Sequence, residues 1–140
     1  MALFGSFWTS DRDFSQRYRW RVIHLDGPIT KQIGLDAEFG VVISSDVMLE
    51  KTQTLLFCPL INGMDEKGRS LAKLPWHVDV SISQTPNQVS VPYSRKLLST
   101  KIVLPISLNE VDRDGLQRGR LSPDSRVEVA RMLKRWLPVA

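Results

Sequence analysis

The chain has 140 residues, 42% of them hydrophobic, and a single cysteine, Cys58. That length supports one domain with its own core, and a lone cysteine excludes an intramolecular disulfide. Against 15 acidic residues stand 19 basic ones, a formal charge of +4, which favours anionic partners such as nucleic acid or an acidic protein, although a solvated mixed-charge surface has the same composition. No stretch approaches the ~20 apolar residues of a membrane span. The opening residues lack the basic start and long apolar core of a secretory signal. With one cysteine, a reducing cytoplasm is the expected compartment.

Residues 1–16 read as an N-terminal extension. They carry Leu3, Phe4, Phe7 and Trp8 without a clear period, which suggests packing on a surface or a partner. Residues 17–140 read as a single domain. In YRWRVIHL (Tyr18 to Leu25) large apolar and polar residues alternate. This predicts a half-buried strand with Tyr18, Trp20, Val22 and His24 on one face and Arg17, Arg19 and Arg21 on the other. The arginine face is either a phosphate track or a solvated strand face. DGP (Asp26 to Pro28) opens a loop. FGVVIS (Phe39 to Ser44) predicts a buried strand. TQTLLFCPLI (Thr52 to Ile61) predicts another, and Pro59 near its end suits an edge or a bulge. Cys58, inside that run, reads as a small buried hydrophobe.

NGMDEKGRSLAK (Asn62 to Lys73) is a charged loop. PWHVDVSIS (Pro75 to Ser83) predicts a strand with Trp76, Val78, Val80 and Ile82 on one face and His77 and Asp79 on the other. NQVSVPY (Asn87 to Tyr93) and TKIVLPISL (Thr100 to Leu108) predict two more strands. The expected architecture is mainly β with α: a small, antiparallel, barrel-like sheet of about six to seven strands. A C-terminal helix follows in LSPDSRVEVARMLKRWL, with Ser122 as N-cap, Pro123 at the first helical position and Asp124 in the first turn. Val129, Met132, Leu133 and Trp136 form its apolar stripe, predicted to face the core.

Standard catalytic signatures are missing. Two histidines and one cysteine do not make a structural zinc site, so no metal and no cofactor is expected. His24 and His77 lie on different predicted strands. No Walker loop, G-x-G-x-x-G or G-x-S-x-G occurs, and the serines of LSPDS have no adjacent base.

Several phrases, in order, nonetheless resemble the MazF/PemK family of type II toxin–antitoxin toxins, within the fold group that includes CcdB. WRVIHLDGP looks like that family's first strand and its exit, GVVISSD like its PVVVISND strand, LLFCPLI like the strand that ends in VPIT, and LPWHVDV like LPTHVEV. EVDRDGLQRGRLSPDSRVEVARMLKRWL is similar to the characteristic ending TIDKRRL.ERIGRLSPE. The resemblance spans Arg17 to Leu137. It implies a CcdB/MazF-like fold, a homodimer, a cognate acidic antitoxin as partner, and cleavage of single-stranded RNA without a metal. In that chemistry the RNA's own 2′-hydroxyl attacks phosphorus, which needs a base, a cation on the phosphoryl oxygens and an acid for the leaving oxygen.

The sequence departs from the family where the phosphate should be held. The usual loop reads roughly G-x-E-Q-x-G-x-R-P-V-V; here GPITKQIGLDAEFGVV is two residues longer. Gln32 and Gly34 match, Lys31 stands for an acidic residue, Glu38 for the arginine and Phe39 for the proline. Ile61 replaces the threonine of P-I-T, and Asn62 follows. A glutamate about 4 Å from a phosphate in a partly wet site repels it by roughly 4 kcal/mol. The catalytic residues are therefore not assigned. Three readings follow. The first is a ribonuclease with rearranged groups, in which Lys31, Lys67, Arg69 or Lys73 supplies the cation and Gln32 or Asn62 hydrogen bonds. The second is a CcdB-like toxin that binds a protein, DNA gyrase. The third is a catalytically dead regulatory or structural module of the same fold.

Overall fold

The computed structural model describes residues 17–25, 37–114 and 118–136. In chain order the elements are β1 (Val22–His24), β2 (Phe39–Val42), α1 (Asp46–Thr52), β3 (Thr54–Asn62), β4 (His77–Val80), β5 (Ile82–Ser83), β6 (Lys96–Ser99), β7 (Leu104–Ser107), α2 (Leu108–Asp114), β8 (Arg120–Leu121) and α3 (Pro123–Trp136). Among the described residues no helix is long and apolar enough to cross a membrane. The extension at residues 1–16 lies outside the described residues.

The main sheet has six strands in the order β1-β2-β3-β6-β4, with β7 also paired to β3. Every pair is antiparallel. The sheet is not closed into a barrel. A two-stranded ribbon joins its edges instead: β5 continues β4 past Ser81 and pairs with β8. The ribbon then reaches the start of β1 through bonds from Val22 N–H to Gly119 C=O and from Leu121 N–H to Trp20 C=O, both 2.9 Å.

Alternation along the strands sends side chains to two cores, one on each face. Val22, Phe39, Val41, Cys58, Leu60 and Leu98 pack with Val129 of α3. Ile23, Val42, Leu55, Phe57 and Ile106 pack with Leu49 of α1 and Val111 of α2. Cys58 is fully buried, as expected, and burial pushes its thiol up to about 12. It is an inert hydrophobe, since the thiolate is the reactive form.

Pro59 is not on an edge strand. It sits in the middle of β3, opposite Gly40. The bond from Ile43 N–H to Leu56 C=O makes 56, 58 and 60 the residues of β3 that bond to β2, by the alternation of an antiparallel ladder. The imide nitrogen of Pro59 therefore faces the other side. There the pairing with β7 reaches only to Phe57 and the pairing with β6 only to Leu60, so the missing donor falls in the gap between two partners. Pro105 of β7 lies opposite Leu56, and its nitrogen points away from β3 by the same alternation.

Three further expectations need correction. The strand predicted from Tyr18 begins only at Val22, because Trp20 has φ 69° and reverses the alternation. Tyr18 consequently joins the α1–α2 core and Trp20 the α3 core. Asn87–Tyr93 forms no strand: Thr85–Gln88 is a turn closed by Gln88 N–H on Thr85 C=O, and the Gln84 amide donates to Val89 C=O at 3.0 Å, so local groups satisfy that backbone. Trp136 does not face the core. It is 44% exposed, because the last helical turn runs beyond the core cluster, whose helical members end at Leu133. The helix start is as predicted, except that the Ser122 hydroxyl bonds Ser125 Oγ (3.0 Å) and Ser81 Oγ (2.6 Å).

Gly119 is the tightest point of the ribbon. Its φ is +95°, and a Cβ there would lie 2.6 Å from the Ser83 carbonyl oxygen. Gly68 also has a positive φ, +78°, but open space around it. Gly119→Ala is expected to cost about 2–4 kcal/mol from strain plus overpacking, and Gly68→Ala only about 1–2 kcal/mol from strain. Urea midpoints at unchanged m-value measure both.

Candidate functional site

The antiparallel pairing gathers several chain ends at one end of the sheet. His24 pairs with Phe39, Phe39 with Leu60, Asn62 with Lys96, and Lys96 with Val80. Leu25 N–H bonds Glu38 C=O at 2.7 Å. The segment 26–36 comes between these residues in the sequence. Lys31 and Gln32 fall within it, outside the described residues.

Phe39 organises this end. Its ring is 3% exposed and meets three polar side chains from separate segments. The His24 imidazole lies edge-on at 5.4 Å and 67°, and the Tyr93 ring at 5.5 Å and 89°. The Arg118 guanidinium carbon is 5.3 Å from the Phe39 centroid. Edge-on rings and a cation on a ring face are the arrangements that an aromatic quadrupole favours. Arg118 is held by its neighbours: Gln84 Nε2 donates to its carbonyl at 3.4 Å, and Gly119 next to it is tied to Val22. The cluster thus brings together an imidazole, a phenol hydroxyl, and a guanidinium with a donor fork suited to phosphate.

The residues expected to contact RNA are placed differently from one another. Asn62, at the exposed end of β3, uses its Oδ1 to accept Met64 N–H at 3.1 Å. Lys67 and Arg69 lie on the exposed turn that follows. Asp65 shapes that turn by accepting Lys67 N–H and Arg69 N–H on Oδ1 and Arg69 Nε on Oδ2. Those bonds, led by the Arg69 backbone, hold the Asp65 carboxyl below its usual range. Lys73 lies 3.5 Å from Asp79. Arg69 and Lys73 are thus tied to different carboxylates and do not converge.

Arg95, not singled out by sequence, ties the loop down. It donates to Asp79 Oδ1 at 2.9 Å and to the carbonyl of Leu71 at 2.8 Å. The Arg95 hydrogen bond is the main reason that the Asp79 carboxyl sits below its usual range. Gly63 is where the two strands crowd: a Cβ there would meet Arg95 Cγ at 2.7 Å. His24 was read from the sequence only as a strand residue. Tyr93 and Arg118 carried no signal of spacing that could link them to it.

No protein-family model matches the chain, and no curated protein matches it in sequence. Solved structures do. An endoribonuclease in complex with its cognate antitoxin, from a mycobacterial species, superposes with TM-score 0.56 at 14% identity, covering 87% of this chain and 95% of that one. MazF from Deinococcus radiodurans gives TM-score 0.59 at 14% identity over 89% of this chain and 98% of its own. A MazE–MazF complex from the same organism gives 0.58 at 14% identity, with the same coverage. The chain has the MazF fold. Within that fold, the position that the family resemblance gives to arginine is the exposed Glu38, and the next residue, Phe39, carries Arg118 on its ring.

At the far end of β4, His77 Nδ1 accepts Leu74 N–H at 3.2 Å and so anchors the end of the loop. Burial, then Arg95, lowers the His77 pKa from its ordinary 6.5. The folded state binds this proton less well than the unfolded chain, so the stability His77 contributes is present above about pH 6.5 and lost as pH falls below it. Between pH 7 and 5, the urea midpoint is expected to fall more in the parent protein than in His77→Gln. Asp79 acts in a separate window, below its ordinary 3.8.

Proposed function

We propose that the chain is the toxin of a type II toxin–antitoxin pair and acts as an endoribonuclease on single-stranded RNA. The observation that carries this reading is the Arg118 guanidinium on Phe39, beside the position where the family resemblance calls for a cation. A cation delivered from the turn before β8 does the electrostatic work that Glu38 cannot. The MazF fold supports the reading, as do the endoribonuclease and MazE–MazF complexes among its structural neighbours.

The reaction follows from the groups present. The 2′-hydroxyl oxygen attacks phosphorus as its proton passes to a base. The bond from phosphorus to the 5′-oxygen breaks, and that oxygen takes a proton. The products are a 2′,3′-cyclic phosphate and a 5′-hydroxyl. His24 is the proton carrier at this end of the sheet, since His77 lies at the other end of β4. Arg118 stabilises the charge that grows on the non-bridging oxygens, and the Tyr93 hydroxyl supplies a further hydrogen bond. Lys31, Gln32, Asn62, Lys67, Arg69 and Lys73 hold the RNA on either side of the scissile phosphate. The partners are an acidic antitoxin, which complements the +4 charge of the chain, and a second copy in a homodimer, in the cytoplasm.

Labelled single-stranded RNA incubated with the protein in EDTA should be cut to ends bearing a cyclic phosphate. Arg118→Ala should lower kcat by about 10²–10³, the usual effect of removing one group that stabilises a transition-state oxyanion. Intact RNA at micromolar protein overturns the ribonuclease reading. For the binding residues, the double variant Lys31→Ala with Arg69→Ala should weaken RNA binding and reduce the salt slope by about 0.7 for each phosphate that is no longer neutralised. Unchanged affinity and slope remove those two residues from the interface.

A further inference from the structure

A groove runs along α3. It consists of two adjoining hollows of about 330 and about 260 Å³, which share Arg19, Trp20 and Ala130. One hollow is flanked by Arg126 and Val127; the other is floored by Ile43, Leu56 and Leu133, with Lys134 at its rim. Apolar surface therefore lies along the bottom and positive charge along the edges. The charge is concentrated. Burial lowers the Arg21 pKa from its ordinary value, and repulsion from Arg17 and Arg126 lowers it further. The Arg19 Nε is buried without a hydrogen-bond partner among the described residues. Val127, on the helix beside the groove, is 67% exposed.

The occupant that fits is both apolar and acidic. A second copy related by a two-fold axis would set these arginines against their own equivalents. The chain's own residues 1–16 match better. They carry Leu3, Phe4, Phe7, Trp8 and Phe14 as apolar groups, and Asp11 and Asp13 as acids on either side of the single base Arg12. They also lead directly into Arg17, two residues before Arg19, which with Trp20 lines both hollows. The nine residue-to-residue steps from Trp8 to Arg17 span at most about 30 Å, and the 14-residue α3 is about 21 Å long. The aromatic residues can therefore reach any point on the helix. Attachment at the groove's own wall raises their effective concentration there to the millimolar range.

We propose that the α3 groove is a docking site for the chain's own N-terminal segment, with the aromatic residues around Phe7 and Trp8 on the Ile43–Leu56–Leu133 floor and Asp11 and Asp13 against the arginines. Docked there, the segment shields the groove, and any other acidic, apolar peptide must displace it. This inference is independent of the ribonuclease reading.

The test uses the full chain with p-benzoylphenylalanine in place of Trp8, irradiated at low micromolar concentration and mapped by mass spectrometry. The expected result is an intramolecular cross-link to residues 43–44, to Leu56 or to residues 130–134. Val127→Asp, at an exposed position that folding tolerates, should cut its yield by about tenfold. Cross-links between copies, or to other surfaces, overturn the proposal. A second measurement does not rely on the probe: in Phe7→Ala/Trp8→Ala, amide hydrogen exchange along α3 should quicken by about tenfold, and unchanged exchange overturns the proposal.

Discussion

The structure depends on β3 being buried on both faces at once. Leu55, Phe57, Cys58 and Leu60 are all fully buried, yet they belong alternately to the two cores. A strand with solvent on one face supplies one core only; this one must be covered by helices on both sides. Each side chain removed from water in this way contributes on the order of 1.5–3 kcal/mol. The cost falls on the neighbours. Gly40 has to be a glycine, because a Cβ there would lie 2.6 Å from the Phe57 ring. Pro59 is tolerated only because β6 and β7 share the other side of β3 and leave a gap at its nitrogen.

That arrangement also makes the candidate site. With β3 central, β1 and β2 are stacked on one flank and β6 and β4 on the other, so His24, Phe39, Asn62 and Lys96 come to one end of the sheet. The ribbon between the edge strands then carries Arg118 to Phe39 from a distant part of the chain. A charge delivered by a backbone turn does not depend on the residue that precedes β2, although Glu38 at that position still repels an anion.

Much of this was legible in sequence where the signal was local. The caps and stripe of α3 predicted its start and its burial through Leu133. The alternation of Val78, Val80 and Ile82 placed all three against the α3 core. The ordered phrases led to the MazF fold at an identity of only 14% to its solved members. Local signals failed where a long-range contact decided the outcome. Tyr18 and Trp20 alternate correctly, but the carboxylate of Asp46 accepts N–H from Arg17 and Tyr18 at 2.6 and 3.2 Å, and the chain turns at Trp20. The Val-Ser-Val of residues 89–91 has strand character but, among the described residues, no strand paired with it.

By itself the sequence determined the mainly β class, the inert cysteine and the C-terminal helix. Those depend on residue type and short-range period, which act within a few residues. Only the tertiary structure decided that the sheet stays open and that Trp136 faces water. It alone assembled His24, Tyr93 and Arg118 on one phenylalanine ring. The reason is physical: strand pairing and ring contacts join residues far apart in the chain, and their geometry is set by which backbone groups remain to be paired once β3 is buried.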